Sequence, residues 1–186
     1  MLHIHNLEFY VSLGLLLATW VGVYITYLSM VKQNKTAQDI ADTARFTSLI
    51  DMEYKLENEF TGNTRKIQRK ELAQKLINKS SHDDINDDVM DFFDMVGTLL
   101  RRNALDEELV YTGFGFYIIK WWDETKNYIL KERNNQGNDI TLYEDFEELY
   151  NKMILFEMKK RGISRDEIEL ETNDKFLIDE NNLSII

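Results

Sequence analysis

From Phe9 to Val31 the chain runs for 23 residues without a charged side chain, FYVSLGLLLATWVGVYITYLSMV. As a helix rising about 1.5 Å per residue, that run reaches roughly 35 Å, a little more than the ~30 Å hydrocarbon core of a bilayer. Tyr10, Trp20, Tyr24 and Tyr27 add amphipathic rings, and those near the ends suit a membrane interface. A buried core helix of this length would carry polar positions, and a cleavable signal would open on a basic segment, which is missing before Phe9. The run is therefore expected to be one transmembrane helix, residues 9–31, behind a short extracytoplasmic N-terminus, residues 1–8.

Charge separates the chain into two environments. All 22 basic residues and 32 of the 33 acidic ones follow residue 31, Glu8 being the exception. The N-terminal flank MLHIHNLE has no Lys or Arg, whereas Lys32 and Lys35 follow the apolar run at once. The positive-inside rule then places the N-terminus outside and residues 32–186 in the cytoplasm. The abundance of Asn, Lys, Ile and Asp fits a low-GC, bacterial or phage source, and so a bacterial inner membrane.

Two stripes lie within the apolar run. Gly14, Ala18 and Gly22 recur every four residues, a small face that lets helix backbones approach. Ser12, Thr19 and Thr26 recur every seven and share another face. In a homo-oligomer the first would form the helix contact and the second would line a central pore. The same residues are also common in lone membrane helices, where the hydroxyls bond to their own backbone.

The rest of the chain predicts an all-α fold. It has no proline, where average usage of about 5% would give roughly nine, and proline breaks helix interiors. A stalk helix is expected over residues 32–62, with Phe46, Leu49, Ile50, Leu56 and Phe60 on one face and Gly62 as its C-cap. Residues 63–186 are expected to form a small helical bundle. Its helices run near 64–79 (Ile67, Leu72, Leu76, Ile77 inward), from about 80 to 102 (Met90, Phe93, Val96, Leu99, Leu100), over 105–133 and over 141–161. The last has Phe146, Leu149, Met153, Ile154 and Phe156 inward and stops at Gly162. The aromatic stretch from Tyr111 to Tyr128 makes the 105–133 helix the centre of the bundle. The tail beyond Gly162 reads as mostly polar, with a hydrophobic tip at Ile185–Ile186.

Site chemistry is sparse. The soluble part is net acidic and the chain carries −11 at pH 7, which disfavours generic binding to nucleic acid or an anionic surface. With no cysteine there are no disulfides, thiolate metal sites or thiol catalysis. His82 is the only histidine after the apolar run, so Ser/His/Asp and Cys/His sets are missing there, as are phosphate loops and zinc frameworks. No enzyme activity, cofactor or metal is expected. Asp83, Asp84, Asp87, Asp88, Asp91 and Asp94 resemble hard-cation ligands, but acids in a first helical turn are favoured by capping and the macrodipole alone. The basic residues that stand out are Arg65, Lys66, Arg69 and Lys70, with Arg101 and Arg102 further on. They form either a solvated face or an anion site for phosphate, nucleotide or lipid headgroup.

Asp91-Phe92-Phe93, Leu105-Asp106-Glu107-Glu108-Leu109 and the stretch Tyr117 to Trp122 resemble an uncharacterised bacterial family. Its members pair one N-terminal membrane helix with a cytoplasmic aromatic-rich helical domain. The layout also looks like the channel subunit of Hailong-type anti-phage systems, which implies gating by an oligonucleotide made by a partner nucleotidyltransferase. Two functions are thus expected: an oligomeric, ligand-gated membrane channel in antiviral defence, with a nucleotide or oligonucleotide ligand, or a membrane-tethered scaffold that recruits a cytoplasmic protein without transport.

Overall fold

The computed structural model describes residues 2–79, 85–171 and 175–185, with side chains from residue 13 onward except that of Leu170. Among these residues all regular structure is helical: α1 Leu2–Thr61, α2 Asn63–Ile77, α3 Asp88–Arg101, α4 Glu107–Asn135, α5 Glu144–Arg161, α6 Arg165–Leu170 and α7 Phe176–Asn181. The chain divides into two compact units, Met1–Ser48 and Leu49–Ile186.

The first unit lies within α1, the one helix among the described residues long and apolar enough to cross a membrane. Every described side chain from Leu13 to Ser48 is exposed. Phe46 of the expected stalk face is accordingly 59% exposed. The inward face begins only in the second unit, at Leu56 and Phe60, which are 4% and 2% exposed.

The second unit is a bundle on an aromatic core. Phe60 stacks on Phe92 at 5.4 Å, Phe93 stacks on Phe146 at 5.3 Å, and Trp122 meets Phe146 edge-on at 5.1 Å. Such pairs add about 0.5–1.5 kcal/mol each beyond their buried area. Met90, Phe93, Val96 and Leu100 of α3 are buried as their spacing predicts, and so are Phe146, Leu149, Met153 and Ile154 of α5. In α2 only Leu72 of the expected apolar set is fully buried, while Ile67 and Ile77 are 39% and 43% exposed.

Helix ends explain most boundaries. Asp106 caps α4, accepting from the Glu108 and Leu109 N–H groups at 2.9 and 3.1 Å. Gly162 ends α5 in the left-handed region, φ 68°, where glycine is unstrained. Tyr143 is also left-handed, φ 57°, so α5 begins at Glu144 rather than at Thr141. Gly62 is not the left-handed C-cap that was expected. Its φ of −66° and ψ of 156° are extended, and it serves as the N-cap position of α2. The tail is not a mere polar extension either: Ser164 and Glu167 form a capping box that starts α6, and α7 packs through buried Phe176 and Glu180.

The α3–α5 contact is held by carboxylates from both sides. Asp94 of α3 accepts from the Phe146 N–H in the first turn of α5 at 3.0 Å. Asp145 of α5 accepts from the Thr98 hydroxyl at 2.5 Å and from Arg101 at 2.7–2.8 Å. Gly97 permits the approach, since a Cβ there would stand 2.2 Å from the Asp145 carbonyl oxygen.

Candidate functional site

Three regions carry the residues singled out above. In the apolar part of α1, Thr19 and Thr26 donate to the carbonyls of Leu15 and Gly22 at 2.8 and 2.9 Å. A Cβ built on Gly14 or Gly22 meets nothing within 4 Å, and Ala18 is exposed, so the small face is unused within the chain. The Ser12 side chain lies outside the described residues, as do Asp83, Asp84 and Ile186.

Thr19 and Thr26 of the hydroxyl stripe and Gly22 of the small one belong to a longer pattern, off which Gly14 and Ala18 fall. Leu15, Thr19, Gly22, Thr26, Ser29, Gln33, Thr36, Ile40, Thr43 and Thr47 alternate spacings of four and three, the 3.5-residue period of a coiled-coil seam. Lys32, Lys35, Asp39, Asp42 and Arg45 all fall off this seam. Thr36, Thr43 and Thr47 donate to the carbonyls four residues back at 2.8–3.0 Å, as Thr19 and Thr26 do, so the threonine hydroxyls of the seam are met by their own helix. A count at period 3.5 would have found the seam in the sequence.

The basic residues of α2 are largely committed inside the bundle. Arg69, 3% exposed, binds Glu180 of α7 in a two-pronged pair at 2.7 and 2.6 Å. Its guanidinium also lies over the Phe60 and Tyr117 rings at 4.1 and 5.0 Å. Arg65 donates to the Asp88 carbonyl and the Glu59 carboxylate at 2.6 and 2.5 Å and lies over Phe92. Lys66 and Lys70 are half-buried beside them. Arg101 serves Asp145, and Arg102 is exposed at the C-cap of α3. Arg65, Arg69 and Arg101 thus answer to carboxylates on three different helices, Glu59 of α1, Glu180 of α7 and Asp145 of α5. Charge type alone could not reveal this, because Glu180 is 111 residues from Arg69.

The third region was not foreseen. A cavity of about 520 Å³ opens between α4, α5 and α6, walled in part by Phe116, Tyr117, Lys120, Lys160, Arg161 and Ile168. Volumes of ~300–1,000 Å³ are typical of small-molecule sites. Arg161 binds both Glu157 and Glu171, and this contact holds the Glu171 carboxyl below its ordinary range. The Tyr111 ring is stacked on Phe156 at 4.8 Å, with Lys160 at 4.8 Å over it. Its hydroxyl donates to Glu157, and burial followed by that bond pushes its pKa up to about 12. Lys120, 9% exposed, donates to the Glu171 carbonyl oxygen at 3.1 Å. Among the described residues no group of three or more His, Cys, Asp or Glu side chains converges as a metal site.

One long apolar-led helix and an aromatic-cored helical bundle define the class: an all-α protein with a helix of membrane-crossing length at one end. Within that class, the chain belongs to the family described as Domain of unknown function (DUF4760), whose profile matches residues 11–153, well over half of the sequence. The matched stretch runs from the apolar segment of α1 into α5, and the cavity residues Glu157, Lys160, Arg161 and Glu171 follow it. No curated protein and no solved structure matches the chain.

Proposed function

We propose that the protein is an oligomeric, single-pass membrane effector of the ligand-gated kind. Its apolar helix lies in a bacterial inner membrane with the N-terminus outside, and its bundle acts as a cytoplasmic sensing domain. The carrying observation is the uncharged seam from Leu15 to Thr47 on a stretch whose described side chains are all exposed. In a parallel self-assembly identical residues face one another, so a charge on the seam would meet its own copy, and the seam has none. Small residues there permit close helix contact in lipid. The role we assign, ion conduction in anti-phage defence, draws on the likeness of layout to the Hailong channel subunit. Conductance in planar bilayers and toxicity in cells test it, with Thr19→Leu and Thr26→Leu expected to reduce both. Unchanged values in both variants would rule out a pore lined by those residues.

The inward hydroxyl bonds of Thr19 and Thr26 favour a second reading, in which the seam is dry and the protein is a tether that recruits a cytoplasmic partner. Deleting residues 1–31 separates the two. A tether keeps its binding partner when soluble, whereas an effector loses all activity.

A further inference from the structure

The cavity between α4, α5 and α6 contains a buried ammonium, Lys120, that lies within electrostatic range of the Asp123 and Glu171 carboxylates but forms a close ion pair with neither. Lys120 is more than nine-tenths buried, and moving an ammonium out of water costs several kcal/mol unless it is paired. An ammonium has three N–H donors. Among the described residues its only hydrogen bond runs to the Glu171 carbonyl oxygen, 3.1 Å away, and none of the ion pairs there includes it. The cavity's two lining carboxylates, Glu157 and Glu171, both already accept from Arg161. Lys160 is exposed at the same cavity, with its ammonium over the Tyr111 ring at 4.8 Å. Three cations, Lys120, Lys160 and Arg161, thus line this hollow beside the carboxylates Glu157 and Glu171, in a chain of net charge −11.

Aromatic and aliphatic side chains, with Thr112, form the rest of the wall. Phe116 keeps 58% of its surface exposed and meets Tyr117 edge-on at 5.4 Å, and Ile168 of α6 is also part of the lining. Exposed aromatic surface beside buried positive charge recognises a molecule with a ring at one end and an acid at the other.

We propose that this cavity binds a small organic anion carrying a planar ring system. The acid group accepts from Lys120 and Lys160, and the ring lies against Phe116 and Tyr117. The assignment gives the sensing domain proposed above its ligand class and rests on that reading for its biological role, though not for its chemistry.

Titration calorimetry on the full chain in detergent micelles tests it with four probes. Indole-3-acetate carries ring and carboxylate, adenosine monophosphate carries ring and phosphate, adenosine has only the ring, and inorganic phosphate only the charge. At least one ring-bearing anion is expected to bind saturably, and at least about tenfold more tightly than adenosine or phosphate; the better of the two fixes the acid type. Lys120→Met, close to isosteric, is expected to weaken that binding at least about tenfold, and the exposed Lys160→Gln about threefold. If Lys120→Met fails to fold, Lys160→Gln decides alone. Absence of saturable binding, equal binding of inorganic phosphate, or unchanged affinity in the variants would overturn the site. Conductance plays no part in this readout. A channel without ring-anion binding therefore refutes the site alone, and binding without conductance refutes the effector reading alone.

Discussion

Residues 13–48 and the bundle that begins at Leu49 are built from the same helical backbone, yet they use their side chains in opposite ways. In the first stretch every described side chain faces outward, from Leu15 at 66% and Trp20 at 67% to Phe46 at 59%. In the second, even arginines are buried: Arg69 is 3% exposed and Arg133 8%. An apolar helix with nothing packed on it is unstable in water and needs lipid or copies of itself. The bundle meets its needs internally, through carboxylates for its arginines and rings for one another. The contrast separates a stretch that keeps its side chains exposed from a bundle that largely completes itself.

The sharpest way to break the self-sufficient half is its buried ion pair. Glu180→Gln should destabilise the bundle by about 3–5 kcal/mol, because the Arg69 guanidinium is left buried without its counter-charge. Thermal unfolding followed by circular dichroism reads this, and the double variant Arg69→Met with Glu180→Leu should recover much of the loss. Next comes Gly97→Val. The atom that its side chain would strike is the Asp145 backbone carbonyl, which cannot swing aside, so a loss of about 1–3 kcal/mol or more is expected in denaturant titrations.

Asp145→Asn should cost less, about 1 kcal/mol at neutral pH, since the Arg101 partner is 60% exposed and screened. Its hydrogen bonds with Arg101 and then Thr98 hold the Asp145 carboxyl below its ordinary value. A depressed carboxylate contributes stability above the unfolded pKa of about 3.9 and loses it as pH falls through the lower folded value. The wild type should therefore lose part of its stability below about pH 4, and the Asn variant should show a shallower acid limb. Smallest of all is the effect of Thr26→Leu on the bundle: its melting should not move, because Thr26 bonds only to the Gly22 carbonyl of its own helix.

Much of the fold was legible because it is local. Phe93, Val96 and Leu100 advertise the inner face of α3 by spacing, whereas Asp106, which caps α4, falls inside the helix that the pattern predicts from residue 105. What escaped is non-local. Arg69 looks like one cation in a surface run until α7 brings Glu180 onto it, and Lys120 looks like punctuation in an aromatic helix until α6 closes over it. The left-handed turn at Tyr143 shortened α5 because nothing in an aromatic residue signals positive φ. The seam of α1 is a different case. Its hydroxyls seven apart, Thr19 and Thr26, were visible, but the period of 3.5 that joins them to Gly22, Ser29, Thr36 and Thr43 appears only when the count runs on past the apolar stretch.

That seam is the central claim, and the absence of native cysteine makes it directly testable. Single substitutions Gly22→Cys, Ser29→Cys, Thr36→Cys and Thr43→Cys lie on it, while Asn34→Cys, Gln38→Cys and Ala41→Cys lie off it. Oxidative cross-linking in native membranes should give disulfide-linked dimers at the first set and little at the second. Equal cross-linking at every position, or none at any, would contradict an oligomer built on this face of α1.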